Sequence, residues 1–237
     1  DAYLPAASSA PGRFGAYFRT DLKVSNPRPA PTNVRVTFFP TTGGAPAQIV
    51  LGLGAWETRQ FEDVLDSLLE VTEDAAGALR LTVLGDSPGV VVSSRTYAEE
   101  PGRSYGLAIG VLENAEAAAG EQIALSFLSS SAATRTNLGF LETSGVATRL
   151  RVALFGVDGE RLAERELALG PYQAVQWNDL FAEMGAEPRE EASAIVDVVD
   201  GGAVIAHAIR IDNRTNDASF LVGSVLRPRS AAPAGAR

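Results

Sequence analysis

Val34-Arg35-Val36-Thr37-Phe38-Phe39 is apolar at every second position, and 116 residues later it returns as Leu150-Arg151-Val152-Ala153-Leu154-Phe155. A period of two sends successive side chains to opposite faces, so each stretch reads as a strand with one face buried and one wet. Leu79, Leu81 and Val83, alternating with Arg80 and Thr82, read the same way. Pro27, Pro29 and Pro31, then Gly43-Gly44 and Ser87-Pro88-Gly89, punctuate these runs as turns. Seven strands are expected in the first copy, at 17–25, 33–39, 47–53, 56–61, 77–84, 89–97 and 104–112. Short strands at this spacing favour an antiparallel sandwich.

The self-match extends well beyond one strand. Arg19-Thr20-Asp21-Leu22 returns as Arg135-Thr136-Asn137-Leu138, and Trp56, Gln60, Phe61 and Asp63 align with Tyr172, Gln176, Trp177 and Asp179. Later the spacing shrinks, and Val111-Leu112 meets Val225-Leu226 at 114. Two homologous domains are expected, 1–114 with an extended N-terminal segment and 115–237 with a flexible tail from Ser230 to Arg237, joined by a small polar linker over 113–120. Two copies are too few for a solenoid, so each must close its own core or share one with its sister. Each copy carries one short helix. Val64, Leu65, Leu68 and Leu69 form a helical stripe behind Glu62-Asp63, and Leu180, Phe181 and Met184 follow Asn178-Asp179. Asp63 and Asp179 read as helix-start residues rather than catalytic acids. The expected fold class is all-β, two tandem homologous antiparallel β-sandwich (Ig-like) domains, each with one short helix.

Composition removes much chemistry. The 237 residues carry 20 basic and 29 acidic side chains, a formal charge of -9, which argues against nucleic acid or an anionic membrane surface as partner. No cysteine is present, so there is no disulfide, thiolate nucleophile or zinc-thiolate site, and one histidine excludes a multi-histidine metal centre. The chain begins at Asp1 and its sole methionine is Met184, which suggests a removed secretory leader. No apolar run approaches the roughly 20 residues of a membrane-spanning helix. The expected location is secreted, extracellular or cell surface, without membrane insertion.

Tyr3-Leu4-Pro5-Ala6-Ala7, Phe18-Arg19-Thr20-Asp21-Leu22, Ser25-Asn26-Pro27, Gly77 to Arg80, Ser94-Arg95-Thr96-Tyr97 and the turn Asp212 to Asp217 together resemble an uncharacterised family of bacterial secreted proteins with tandem β-sandwich repeats. The resemblance spans nearly the whole chain and implies export and tandem β-domains, without supplying an active site. The second copy departs from it, with Ala208-Ile209-Arg210-Ile211 in place of Ser-Arg-Thr-Tyr.

No catalytic, cofactor or metal site is expected. His207 shares a strand face with Ile205, Ile209 and Ile211 and reads as a packed histidine; no Gly-x-Ser-x-Gly elbow accompanies it. Lys23, the only lysine, has no evident dyad partner. The acid pairs Glu99-Glu100 and Glu190-Glu191 read as solvated loop charge, although a glycosidase needs only two facing carboxylates. Asp212 to Asp217 offers oxygens suited to calcium but lacks EF-hand spacing, and an Asx turn is the expected reading. The repeated motif of Arg19, Thr20 and Asp21 with Arg135, Thr136 and Asn137 is expected to pin loops to the sandwich.

The function expected is that of a non-catalytic extracellular structural protein, a subunit of a surface fibre or lattice assembled through sheet edges or terminal strands. Tyr3, Leu4 and Pro5 form the candidate assembly segment, completing their own sheet or a neighbour's. Self-association or contact with other surface proteins follows. The alternative is a secreted carbohydrate- or protein-binding adhesion module, with Tyr17, Phe18, Trp56, Tyr97 and Tyr105 clustered on one face.

Overall fold

Strand β3 (Thr32–Pro40) carries the alternating stretch: Val34, Val36 and Phe38 are buried while Asn33 and Arg35 are exposed. Its counterpart β11 (Thr148–Gly156) buries Leu150, Val152 and Leu154 in the same manner. The structure is a computed structural model and describes residues 1–12, 15–85, 89–100 and 102–227. It is all-β with antiparallel sheets and is not a barrel. Among the described residues no helix is long and apolar enough to cross a membrane.

The first half contains β1 (Ala2–Pro11), β2 (Tyr17–Ser25), β3, β4 (Ala47–Leu53), β5 (Thr58–Phe61), β6 (Ala75–Leu84), β7 (Val91–Glu100) and β8 (Arg103–Ile109), with α1 (Val64–Ser67) after β5. They form one hydrogen-bonded sheet in the order β4-β3-β6-β1-β2-β7-β8, with β5 on β2. Strand β1 joins its two parts, because residues from Ala2 to Ser9 pair with β6 while Ser9 to Pro11 pair with β2.

The second half contains β9 (Gln122–Leu128), β10 (Thr134–Glu142), β11, β12 (Arg161–Leu169), β13 (Ala174–Trp177), α2 (Leu180–Met184), β14 (Ala192–Asp200), β15 (Val204–Asp212), β16 (Ala218–Val222) and β17 (Ser224–Leu226). Here the strands separate into two sheets, β13-β10-β15-β16 and β12-β11-β14-β9-β17.

Two differences from the expected strands have local causes. Among the described residues the first half has eight strands rather than seven, since the segment Ala2–Pro11 is itself a central strand. Strand β5 starts at Thr58 rather than residue 56, because Trp56 occupies a turn with φ 61°. The tail from Ser230 to Arg237 lies outside the described residues.

Three apolar clusters result. Leu4, Leu22, Val34, Val36, Phe38 and Leu79 belong to the first half's core, and Leu125, Leu138, Phe140, Val152, Phe181 and Val196 to the second's. A third joins the halves, with Tyr3, Phe39, Ala78 and Leu112 against Leu141, Ala174 and Ile205. The helices bury Val64 and Leu65, and Leu180 and Phe181, over their respective cores.

Candidate functional site

The outer faces of two matching strand pairs have opposite fates. In the first half Asp21 lies opposite Arg95, and in the second Asn137 lies opposite Ile209. In that register Lys23, Ser93, Arg95 and Tyr97 correspond to Gly139, His207, Ile209 and Ile211. Lys23, Ser93 and Arg95 are exposed, whereas Gly139 and His207 are buried beneath the first half. Of the departures from the Ser-Arg-Thr-Tyr pattern, Ile209 and Ile211 therefore lie on the covered face, while Ala208 and Arg210 point to the opposite one.

The covering is incomplete and leaves a cleft of about 580 Å³ between the halves. One wall is small, with Pro5, Ala6 and Ala7 of β1 and Gly77 of β6; the other carries Arg135, Asn137, Gln176, His207, Ile209 and Ile211. Its described lining contains no Asp, Glu or Lys. Arg135 donates through Nη1 to Asn213 Oδ1 at 2.6 Å.

His207 is 3% exposed, and neither Nδ1 nor Nε2 has a hydrogen-bond partner among the described residues. Its ring packs near Phe220, with centroids 5.4 Å apart, and lies across Gly139, where a Cβ would overlap it. Glycine on β10 is thus what allows the imidazole to lie flat on the sheet. Burial alone pushes its pKa down from 6.5 to about 4, so the ring is neutral at pH 7. A buried polar group without a partner is costly, and both ring nitrogens are closed off from the cleft that the residue borders.

The Thr and the Asp or Asn of the repeated motif accept matching main-chain bonds in the two halves, while Arg19 and Arg135 take different partners. Thr20 Oγ1 accepts the Ser8 N–H at 2.8 Å, and Thr136 Oγ1 accepts the Ser129 N–H at 3.0 Å. Asp21 Oδ1 accepts the Asp63 N–H, and Asn137 Oδ1 the Asp179 N–H, each at 3.1 Å. Asp63 and Asp179 do precede the helices, but in left-handed conformations (φ 46° and 72°) and without side-chain bonds to helix N–H groups. The carboxylate of Asp63 instead accepts from Ser9 Oγ and pairs with Arg19 at 3.5 Å. Glycine-like backbone at a non-glycine residue is strained, and the motif's Asp or Asn holds it.

The candidate assembly segment is built into its own chain. Leu4 enters the first core, Tyr3 the cluster between the halves, and Pro5 lines the cleft. Burial raises the Tyr3 pKa, partly countered by Arg80.

The exposed edge is elsewhere. Among the described residues strand β4 pairs only with β3, its sequence Ala47–Leu53 has no charged residue, and Ile49 and Val50 are 38% and 52% exposed. Its counterpart β12 places Glu164, Arg165 and Glu166 where β4 has Gln48, Ile49 and Val50. Arg165 lies over the Trp177 ring at 5.0 Å and pairs with Glu183 of α2.

The remaining candidates separate. Glu99-Glu100 ends β7 rather than lying in a loop; Glu100 bonds Arg103 and Tyr105, which hold its carboxyl below the usual range. Glu190-Glu191 precedes β14. Asp212 Oδ1 accepts the N–H groups of Arg214 and Thr215, the geometry of an Asx turn, and these bonds lower its pKa. Among the described residues no group of three or more His, Asp or Glu is placed to hold a metal ion. The five aromatics do not share a face: Tyr17 and Tyr97 accompany Arg19 on the open side, Phe18 and Tyr105 meet edge to face on the other, and Trp56 stands in its turn.

Sequence reasoning missed Glu142. It is fully buried and accepts from the N–H groups of Ser144, Gly145 and Tyr172 and from Ser144 Oγ. These bonds fix the Tyr172 turn, whose ring stacks on Phe39 of the other half at 5.5 Å beneath Arg80. No protein-family model matches the chain, and no curated protein matches it.

Proposed function

We propose that the chain is a pair of tandem Ig-like sandwich modules, residues 1–114 and 115–237, serving as a non-catalytic extracellular structural subunit that associates through a sheet edge. The β4 edge carries this reading. An unpaired edge strand presents free main-chain donors and acceptors, and proteins that stay monomeric blunt such edges with charge. β12 has that protection, and the matching β4 positions are apolar or neutral. The occupant proposed is β4 of a second copy, added antiparallel across a two-fold axis. A fibre or lattice needs a further contact besides this one. The resemblance to secreted bacterial proteins supports the extracellular assignment. A binding role draws its support from the cleft between the halves rather than from an aromatic platform.

Light scattering on the full chain tests the edge. Dimers or larger species are expected, reverting to monomer in the double variant Ile49→Arg, Val50→Glu. A wild-type chain that stays monomeric at millimolar concentration overturns the reading, as does a variant that associates equally well.

A further inference from the structure

We infer that the joint between the halves is repeated between molecules: the second half of one copy docks on the first half of the next, head to tail, with Trp56 stacked on Phe155. This contact rests on the structural-subunit reading and deepens it. It supplies the further contact that a fibre requires, on surfaces separate from the β4 edge.

Within the chain, the second half meets the first through Ala174, Leu141 and Ile205, which stand side by side on β13, β10 and β15. Tyr172, just ahead of that row, stacks on Phe39 with ring centroids 5.5 Å apart. The first half has the same row in the same register, Thr58, Ser25 and Val91, with Trp56 just ahead of it. Trp56 and Tyr172 share a left-handed backbone, at φ 61° and 55°. What covers the two rows differs. Ala174, Leu141 and Ile205 are buried against the first half, whereas Val91 is 58% and Trp56 67% exposed.

The other side of the joint is repeated as well. Phe39 on β3 lies opposite Ala78 of β6, and Phe155 on β11 lies opposite Ser193 of β14, so that Ile195 stands where the first half has Arg80. Phe39 and Ala78 are buried in the joint, while Phe155, Ser193 and Ile195 are partly exposed. Leu112 is buried there too, and Leu226, its match in sequence, is 45% exposed. Each end of the molecule thus keeps, uncovered, its own version of one side of the joint. Exposed apolar surface of this kind marks contact sites, and tryptophan is prominent among the side chains that anchor them.

A second copy is the occupant because the matching surfaces already fit each other inside the chain. The two sides are unlike and lie on different halves, so the contact is heterologous and runs on as an open filament unless its rotation closes a ring. Thr58 and Ser25 make it weaker than the internal joint, although their hydroxyls bond one another at 2.8 Å, which lowers the cost of covering them. Arg95 corresponds to Ile209, which borders the cleft and not the apolar cluster, so its charge falls where the joint leaves room. Pairing through β4 gives a dimer two copies of each end, and this multivalency strengthens a contact that is weak between single chains.

Because the chain has no cysteine, introduced cysteines report on this contact alone. Two full-length proteins, Thr58→Cys and Ser193→Cys, are made with Ile49→Arg and Val50→Glu, so that the β4 edge plays no part. Treated with a short bis-maleimide at high concentration, their mixture is expected to give covalent dimers at least tenfold above either protein alone, since a head-to-tail contact joins unlike surfaces. Trp56→Ala on one side, or Leu226→Asp on the other, should lower that yield at least tenfold in protein with an unchanged circular dichroism spectrum. Should Leu226→Asp not fold, Trp56→Ala, which removes an exposed side chain, decides. A mixture that crosslinks no more than its separate components overturns the proposal, as does a yield that Trp56→Ala leaves unchanged. Failure of the β4 edge is read separately, by light scattering of the wild-type chain, and does not alter this crosslink.

Discussion

Burial holds the His207 imidazole neutral by moving its pKa from 6.5 to about 4, and this ties stability to pH with a definite sign. The folded protein binds fewer protons than the unfolded chain between those values, so stability is complete above pH 6.5 and falls as pH drops toward 4. The shift corresponds to about 3 kcal/mol over that window. Carboxylates elsewhere titrate in the same range, so the effect is read as a difference. The stability of His207→Phe relative to wild type should rise by about 3 kcal/mol between pH 7 and pH 4, measured by urea unfolding at each pH. A constant difference would show that the imidazole is not held neutral. Thr136 makes a second prediction. Its hydroxyl accepts the Ser129 N–H and donates to the Ser129 carbonyl, all three groups buried. Thr136→Val preserves the shape and orphans both main-chain groups, at a cost of about 1–3 kcal/mol. Thr20→Val should behave alike, since Thr20 accepts the Ser8 N–H and bonds Thr96.

At the scale of elements, the two edge strands show how one backbone plan yields two surfaces. Arg165 covers Trp177 and reaches Glu183, so β12 carries a charge at its edge; Ile49 occupies the matching place on β4 and is 38% exposed, while Arg59 of β5 covers Phe61, the counterpart of Trp177. Exchanging this chemistry should transfer the behaviour. Arg165→Ile with Glu166→Val is expected to raise the association state seen by sedimentation, in a background where β4 carries Ile49→Arg and Val50→Glu. If the exchanged protein remains monomeric, edge charge is not what controls association. Much of this element-level order was legible in the sequence. The alternation in β3 and β11 appears directly, and so do Val64 and Leu65 of α1, whereas Leu68 and Leu69, read as part of the same helix, lie buried in the turn after it. Strand β1 was legible only at its start, where Tyr3, Leu4 and Pro5 were expected to complete a sheet, because the rest is Ala, Pro and Ser, types with weak strand preference. They suit the position for a tertiary reason: β1 lies between two strands of its own half and beneath the other half, where larger side chains would fill the cleft. The cleft was hidden likewise, since no local pattern states which faces of two repeats meet. A faint sign was available in the contrast between Arg95 and Tyr97 and the matching Ile209 and Ile211, polar where one face is open and apolar where the other is closed.

For the whole molecule, that asymmetry sets what each half needs from the other. Leu141, Ala174, Ile205, Ile209 and Ile211 all face the first half, and separation would expose them together as one apolar patch. The first half's matching face, with Lys23, Ser93 and Arg95, is already suited to water. Aromatic anchors show the same imbalance. Tyr172 stacks on Phe39 and Arg80, whereas Trp56, at the matching turn, is 67% exposed. Tyr172→Ala should therefore cost about 1–2 kcal/mol, from the lost ring stacking and cation–π contact, while Trp56→Ala stays within about 0.5 kcal/mol of wild type. Dividing the chain gives the sharper test. Residues 115–227 alone should bind a hydrophobic dye and melt at a lower temperature than in the full chain, because removal of the first half uncovers apolar surface. The substitutions Ile209→Arg and Ile211→Tyr, which install the first half's residues on that face, should reduce dye binding in the isolated half. In the full chain the same pair should be destabilising, since the introduced guanidinium would press an unpaired charge against β1. An isolated second half that melts as the full chain does, without dye binding, would mean that the contact between the halves adds nothing to either fold.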